Sequence, residues 1–457
     1  MKNPLHRLHN EAAADRNNSA MQLDALMADY WFARLATACK QAYIDTACLG
    51  IINRGLSVSA SYSDSTVLEN TSPTLHPAFC VAKLFTATLV SLLVMQGKLQ
   101  FDDEITGLLP APHPADVARN MLDGITVAQL LAHTHGLGSI NLEAAPVTLD
   151  GFIDYGQVMF LLQNSRRIFA PGKFYSYGMA GYIVLGSIIE HVTQETYSHV
   201  LHKKILQPLA THDTRPPALR TGISSQPICP SSGRGLHLAL RDLVTFAGSF
   251  LTPQAGVLNL TDTLLANIFA TRKFMPGWSP TISGSCYGWK NFGNNWHGQN
   301  GIDKEHLTYV RINRASGTAI CLCAQSDKRK PAALPSLLLQ QAFPELTYNS
   351  TRQPCMLADA PPDSVAAVVG TYGNCLLRFL VSIKNSRLVL EISSTHEGMP
   401  GISHCCYLYP AEENIHFLGK PWQNITFLQL VTDNNSMRYL WDHTQLWPEL
   451  TDCLFLT

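Results

Sequence analysis

The sequence predicts an α/β fold of the α+β type, an antiparallel sheet flanked by helices, followed by a small all-β unit. Three observations predict it. Apolar residues recur at helical spacing in several segments between residues 21 and 250. Between 287 and 324 the period shifts towards that of strands. Beyond a proline-bearing stretch at 349–362 the chain reads as strand and turn to its last residues. At 457 residues the chain exceeds what a single core usually supports. The expected division is a polar tail at 1–20, a main unit at 21–348, a linker at 349–362 and a β-unit at 363–457.

The elements follow in order. Met21 to Tyr43 has the spacing of an amphipathic helix. Ala47 to Val58 reads as a strand with a polar turn near Asn53-Arg54-Gly55. A Ser/Thr-rich segment, Ser59 to Thr74, leads to a long apolar helix that begins near Cys80 and stops at Gly97. Thr126 is the expected N-cap of a further helix, with Gly136 as its stop. A Pro/Gly-rich loop from Ala170 runs into a helix at Ile183 to Val192, and another spans Tyr197 to Leu206. Leu240 to Phe250 returns to helical periodicity. Tyr309 to Asn313 alternates, and Thr318 to Ala324 is a short apolar run of the kind that fills the middle of a sheet. Leu334 to Phe343 closes the unit as a helix. The terminal unit shows five strand-like runs, Leu376 to Ile383, Leu388 to Ile392, Cys405 to Tyr409, Asn424 to Val431 and Met437 to Trp441.

Composition narrows the function. The hydrophobic fraction is 46% and the charged fraction 15%, with 33 basic against 34 acidic residues. No basic stripe interleaved with aromatics occurs, so no nucleic-acid partner is expected. The polar N-terminal stretch lacks the apolar core of a signal peptide, and no apolar run is long enough to span a bilayer. A cytoplasmic location without a membrane partner is therefore expected, with most of the 12 cysteines reduced. The 17 histidines are scattered, and Cys321 and Cys323 lack zinc-ligand spacing and read as core thiols. Neither a metal nor another cofactor is expected.

The long helix carries the first sign of chemistry. Cys80 and Lys83 are three residues apart, so their side chains fall on nearly one face. A thiol beside an amine at a helix N-terminus is how a nucleophile and its base would be set.

Further segments fit one pattern in order. Phe79-Cys-Val-Ala-Lys83 is followed by Leu130-Leu131-x-His133-Thr134-x-Gly136-Leu137, then Pro171-Gly172-x-Phe174-x-x-Tyr177-x-x-x-Gly181-Tyr182. Tyr287-Gly288 and Trp296-His297-Gly298 come last. Residues 22–345 resemble the serine β-lactamase and penicillin-binding-protein superfamily, on the class C side with its esterases, aminopeptidases and acyltransferases. The terminal β-unit resembles the lipocalin-like domain appended to some members. The family carries Ser-x-x-Lys, Tyr-x-Asn and Lys-Thr-Gly or His-x-Gly. Here these correspond to Cys80-Val-Ala-Lys83, Tyr177-Gly-Met179 and His297-Gly-Gln299. Tyr175 offers a competing register for the second motif, which the flanking residues disfavour.

The resemblance implies a β-lactamase-like fold in which Cys80 attacks a carbonyl while Lys83 and Tyr177 move its proton. It implies that His297 orients the substrate or aids the relay, and that Met179, Gly298 and Gln299 contact the substrate. The oxyanion would be held by the backbone N–H of Cys80 and one from the strand after His297. Met179 cannot make the hydrogen bonds of the family's asparagine, so an apolar acyl chain is expected. The leading expectation is an acyl-transfer enzyme of secondary metabolism, an acyltransferase or cyclase working through an acyl-Cys80 thioester. Its partners would be a small-molecule acyl substrate and an acyl- or peptidyl-carrier protein. The alternative is an esterase or amidase that uses water. A third reading, of another class, is a catalytically inactive binding protein on the same fold.

Overall fold

The computed structural model describes residues 29–64, 74–109, 121–137, 167, 169–215, 232–233, 235–251, 257–279, 282–303, 305–327, 331–340, 342–343, 346, 369–373, 377–384, 387–394, 402–410, 415–422, 425–432, 438–441 and 446–448. The expected tail at 1–20 and linker at 349–362 lie outside these residues.

The first helix, α1, covers 29–42. The run expected as one strand is a hairpin: β1 (Thr46–Asn53) pairs antiparallel with β2 (Leu56–Ser63). Its two-residue turn is Arg54 and Gly55, both at positive φ, the geometry that matches the twist of the flanking strands. Ser59–Ser63, the start of the Ser/Thr-rich segment, belongs to β2, an edge strand in which four of the eight residues are Ser.

β3 (Leu75–Pro77) pairs with β4 (His237–Ala239) and feeds a 3-10 turn at Phe79–Val81 and then α2 (Ala82–Met95). Every residue of α2 from Ala82 to Leu93 is buried, so this is a central helix without a polar face. Its buried hydroxyls are satisfied internally: Thr88 donates to the Leu84 carbonyl at 2.8 Å and Ser91 to the Ala87 carbonyl at 2.7 Å.

The remaining helices are α3 (Val127–Leu131), α4 (Ala180–Thr193), α5 (Tyr197–Leu201), α6 (Leu240–Gly248), α7 (Asp262–Phe269) and α8 (Leu334–Leu339). Thr126 caps α3 as expected, in a reciprocal capping box with Gln129. The helix is shorter than expected, because the chain leaves it at His133, whose φ is +58°. α5 continues as a π-helical turn, His202–Leu206. Among the described residues no helix is long and apolar enough to cross a membrane.

The sheet is completed by β5 (Lys273–Ser279), β6 (Ile282–Ser285), β7 (Lys290–Asn291), β8 (Trp296–Ile302), β9 (His306–Asn313) and β10 (Thr318–Gln325). Its order is β2-β1-β10-β9-β8-β7-β6-β5, antiparallel throughout. β10 lies between β1 and β9, which is why the run Thr318 to Ala324 is apolar along its length. One core joins the inner face of the sheet to α2, α4 and α6; a second joins the outer face to α1 and α8. Gly50 lets α6 approach the sheet, because a Cβ there would sit 2.3 Å from Val244 Cγ2.

The terminal unit is an eight-stranded antiparallel meander, β11 (Gly370–Gly373), β12 (Leu377–Lys384), β13 (Arg387–Ser394), β14 (Ile402–Pro410), β15 (Ile415–Trp422), β16 (Ile425–Thr432), β17 (Arg438–Trp441) and β18 (Leu446–Pro448). Its first and last strands approach each other, so the sheet curls back on itself. Tyr372, Phe379, Leu390 and Ile392 form its buried centre. All five expected strands are present; β11, β15 and β18 were not foreseen.

Candidate active site

Cys80 sits in the 3-10 turn, half-buried, where β3 becomes α2. Phe79, the residue before it, has φ +45°, a strained conformation for an aromatic side chain. The turn is held from two sides. Ala78 N–H donates to the Leu236 carbonyl at 2.8 Å, and the Thr308 hydroxyl donates to the Pro77 carbonyl at 2.8 Å.

Lys83 is completely buried. Its ammonium donates to the Gly233 carbonyl at 2.9 Å and lies 5.2 Å from the centre of the Tyr177 ring and 5.6 Å from that of Tyr182. One turn on, Thr86 donates to the Ser232 carbonyl at 2.7 Å and shares a hydrogen bond with the Tyr197 hydroxyl at 2.8 Å. The pair Ser232-Gly233 is thus tied to the helix at two points.

Tyr177 arrives from the loop before α4. His133 places it. The His133 carbonyl accepts from Ser176 N–H at 2.9 Å, its Nδ1 accepts from Gly178 N–H at 3.4 Å, and its ring lies 4.4 Å from the Tyr177 ring. The Tyr177 hydroxyl is buried, and its contact with Cys80 falls short of a well-aligned hydrogen bond. Burial, the charge a Cys80 thiolate would carry and the contact with that sulfur together push Tyr177 well above the ordinary tyrosine range. Tyr175, the competing register, is buried with its ring 5.9 Å from the His133 ring. Burial, assisted by Lys83, His135 and Lys290, holds His133 well below the ordinary imidazole range, so its ring is neutral.

The structure adds a residue that the sequence reading missed. Lys290 on β7 rests its ammonium 4.6 Å from the centre of the Tyr177 ring. Burial pulls it down to about 8, while a Cys80 thiolate would raise it and Arg311 and Lys83 lower it further. Gly288 makes this delivery possible. It has φ +79°, and a Cβ there would lie 2.5 Å from the Ala87 Cβ of α2. The turn is closed by Cys286 N–H donating to the Trp289 carbonyl at 2.8 Å. The signal in sequence is the tight Tyr-Gly-Trp-Lys turn itself, of which only Tyr287-Gly288 enters the motif pattern.

The third motif falls in a different register from the one expected. His297 is not brought to the thiol. Its ring packs 4.8 Å from Phe269 and bonds to the backbone of Asn295 and Phe269, and burial draws it down to about 4. Gly298 is packed against the neighbouring strand, where a Cβ would meet the Val310 carbonyl at 2.1 Å. Gln299 is buried, and its side-chain oxygen accepts from Asn300 N–H at 3.1 Å. The glycine that approaches the turn before Cys80 is Gly301, where a Cβ would lie 2.1 Å from the Ala78 carbonyl oxygen and 3.0 Å from the Phe79 Cβ. The reading from His297 took a His-x-Gly pattern for the motif, whereas the close approach belongs to Gln299-Asn300-Gly301. Met179 stands at the start of α4, half-buried against the central core.

A cysteine in a turn at the head of α2, a buried lysine at the start of that helix, a tyrosine from the loop before α4 and a glycine strand alongside converge on one place in the fold. Residues 23–342 match the family described as Beta-lactamase, and the chain belongs to it. Penicillin-binding protein 4 of Amycolatopsis lactamdurans is 26% identical over 366 residues, 71% of this chain and 88% of that protein. Esterase EstB of Burkholderia gladioli is 33% identical over 152 residues, 31% of this chain and 38% of its own length. Among solved structures, SurE with D-Leu superposes with a TM-score of 0.70 at 22% identity, covering 93% of this chain and all of that one (100%). That overlap shows a shared fold for the main unit together with the terminal sheet.

Proposed function

We propose that the chain is a hydrolase of the esterase or amidase kind that works through an acyl thioester on Cys80. The observation that carries this reading is the convergence of Lys83, Lys290 and Tyr177 beside the Cys80 turn. Two ammonium groups favour the thiolate over the thiol. The sulfur attacks the substrate carbonyl, and a C–S bond forms as the carbonyl π pair moves to oxygen. Backbone N–H groups at Cys80 and on β8 beyond Gly301 hold that oxyanion. Collapse expels the alcohol or amine, and the neutral Tyr177 hydroxyl hands it a proton. Tyr177 is thus assigned the role of acid, because burial and the nearby sulfur keep it protonated. Water then attacks the thioester and gives one proton to the Tyr177 phenolate; the C–S bond breaks, the carboxylic acid leaves, Cys80 is again a thiolate and Tyr177 again a phenol. The relatives support this chemistry, since one is described as an esterase.

Transfer of the acyl group to an acceptor other than water is the finer reading. Met179 favours it in one respect: an apolar residue at the start of α4 suits an apolar acyl chain held away from water. The test is mass spectrometry of the full chain after brief treatment with activated esters and with acyl thioesters. An acyl mass on Cys80 that turns over to free acid supports the hydrolase. Turnover only when an amine or alcohol is added supports transfer. No adduct on Cys80 with any donor overturns both and favours the inactive binding protein.

A further inference from the structure

A second cluster of reactive side chains includes His76, four residues before Cys80. On β1 and β10, Cys48 stands directly opposite Cys323 in the antiparallel register. His76 reaches the same spot from β3. The two sulfurs and a ring nitrogen of His76 all lie within 4.8 Å of one another, and Cys48 Sγ is 3.4 Å from His76 Nε2. His76 and Cys323 are buried and Cys48 is half-buried. Spacing in the sequence hid this group, because its members sit on three strands far apart in the chain.

We infer that Cys48, His76 and Cys323 form a binding site for a thiophilic divalent cation of the zinc class. Two sulfurs and one imidazole nitrogen are the donors such ions prefer over oxygen-seeking magnesium or calcium. In tetrahedral coordination, metal–sulfur and metal–nitrogen bonds of about 2.3 and 2.0 Å put neighbouring ligand atoms roughly 3.5–4 Å apart. The Cys48–His76 separation of 3.4 Å already matches that spacing. As two metal–sulfur bonds form, any proton still on either sulfur leaves to solvent, and neutral His76 binds through its lone pair. A fourth position is left for water. A disulfide between Cys48 and Cys323 would use neither the imidazole nor its placement, and it would need an oxidant. The bound cation would tie β3 to the sheet just before the turn that carries Cys80. This site does not depend on the hydrolase reading.

The experiment uses the full chain and a full-chain Cys80→Ala variant, which removes another half-buried thiol, that of the Cys80 turn. Cobalt(II) is titrated into the reduced protein and then competed with zinc. The expected result is one cobalt per chain, with thiolate-to-cobalt charge-transfer absorption and tetrahedral visible bands that zinc abolishes. Cys323→Ser and His76→Phe weaken binding by at least about tenfold, while Cys321→Ser does not. In the unaltered chain, zinc also shields Cys48 and Cys323 from alkylation, as mapped by peptide mass spectrometry, so the outcome does not hinge on the variants folding. Absence of thiolate charge transfer, alkylation of both thiols at the same rate with and without zinc, or binding indifferent to Cys323→Ser in a folded variant overturns the inference.

Discussion

The Lys290 ammonium lies 4.6 Å from the centre of the Tyr177 ring, and the Lys83 ammonium rests on that ring at 5.2 Å. One lysine comes from α2, which follows the Cys80 turn, the other from β7. The family's third motif carries its cation on the glycine strand. Here the strand carries Gln299, and β7 supplies a cation instead. Lys290→Met is expected to lower turnover of activated esters by about tenfold to a hundredfold.

The same lysine sets a pH dependence. Burial holds Lys290 near 8, below its unfolded value. Below about pH 8 the folded and unfolded chains both carry the proton, so the cost of burying the charge is fully present. Above it the folded chain releases its proton first, and that cost fades. Lys290→Met should therefore raise stability near neutral pH by on the order of 2 kcal/mol while it lowers activity. Thermal unfolding at pH values on both sides of 8 checks the sign, and a variant less stable than the parent at about pH 7 contradicts it. Activity of the unaltered chain should fall as pH rises past about 8, a limb the variant lacks.

Tyr177→Phe keeps the ring under both ammonium groups and removes only the hydroxyl. If Tyr177 protonates the leaving group, the loss grows as the leaving group becomes more basic. An alkyl ester or amide should lose about 10²–10⁴ in kcat, and an activated phenyl ester far less. Equal losses across a leaving-group series would remove Tyr177 from that role.

Cys80→Ser tests whether the lysines act by stabilising a thiolate. A hydroxyl does not ionise at neutral pH beside two ammonium groups as a thiol can, and burial and the nearby sulfur keep Tyr177 protonated. A loss of at least about a hundredfold is expected. Activity equal to the parent would show that the scaffold still drives a serine nucleophile.

His297 and Gly301 separate the two registers of the third motif. His297→Gln should leave kcat/KM within about fivefold, because the ring is engaged by Phe269 and Asn295 rather than by the nucleophile turn. Gly301→Ala should cost far more, on the order of 10²-fold, because its Cβ would displace the Ala78–Phe79 backbone that fixes Cys80 and the oxyanion donors. The reverse ranking would restore His297 to the site.

The residues that could be read from sequence are those whose role is local. Thr126 announced its cap, Gly55 its turn, and Cys80 and Lys83 their shared helix face, because each signal lies within a few residues. Lys290, His133 and Gly301 were missed or set aside because their roles are made by approach between distant segments. Gly288 shows the difference: its lack of a side chain matters only because Ala87 is behind it. The register of the third motif failed for the same reason, since two candidate glycines three residues apart, Gly298 and Gly301, differ only in which neighbour each one faces. The meander was legible in its strongly apolar strands. β15, with Gly419 and Pro421 in its run, lacks the continuous apolar or alternating pattern that marked the others.

The pairing of β1 with β10 has a consequence for how the protein is made. Thr46–Asn53 is matched residue for residue with Thr318–Gln325. The segment that carries Cys80 thus leaves the ribosome long before the strand that completes the sheet behind it. Contacts so distant in sequence close a long loop before they are rewarded, which slows folding and leaves apolar surface uncovered meanwhile. The buried helix α2 would spend that interval without its sheet, so nascent chains halted before β10 should be rich in chaperone contacts and devoid of acyl-enzyme formation.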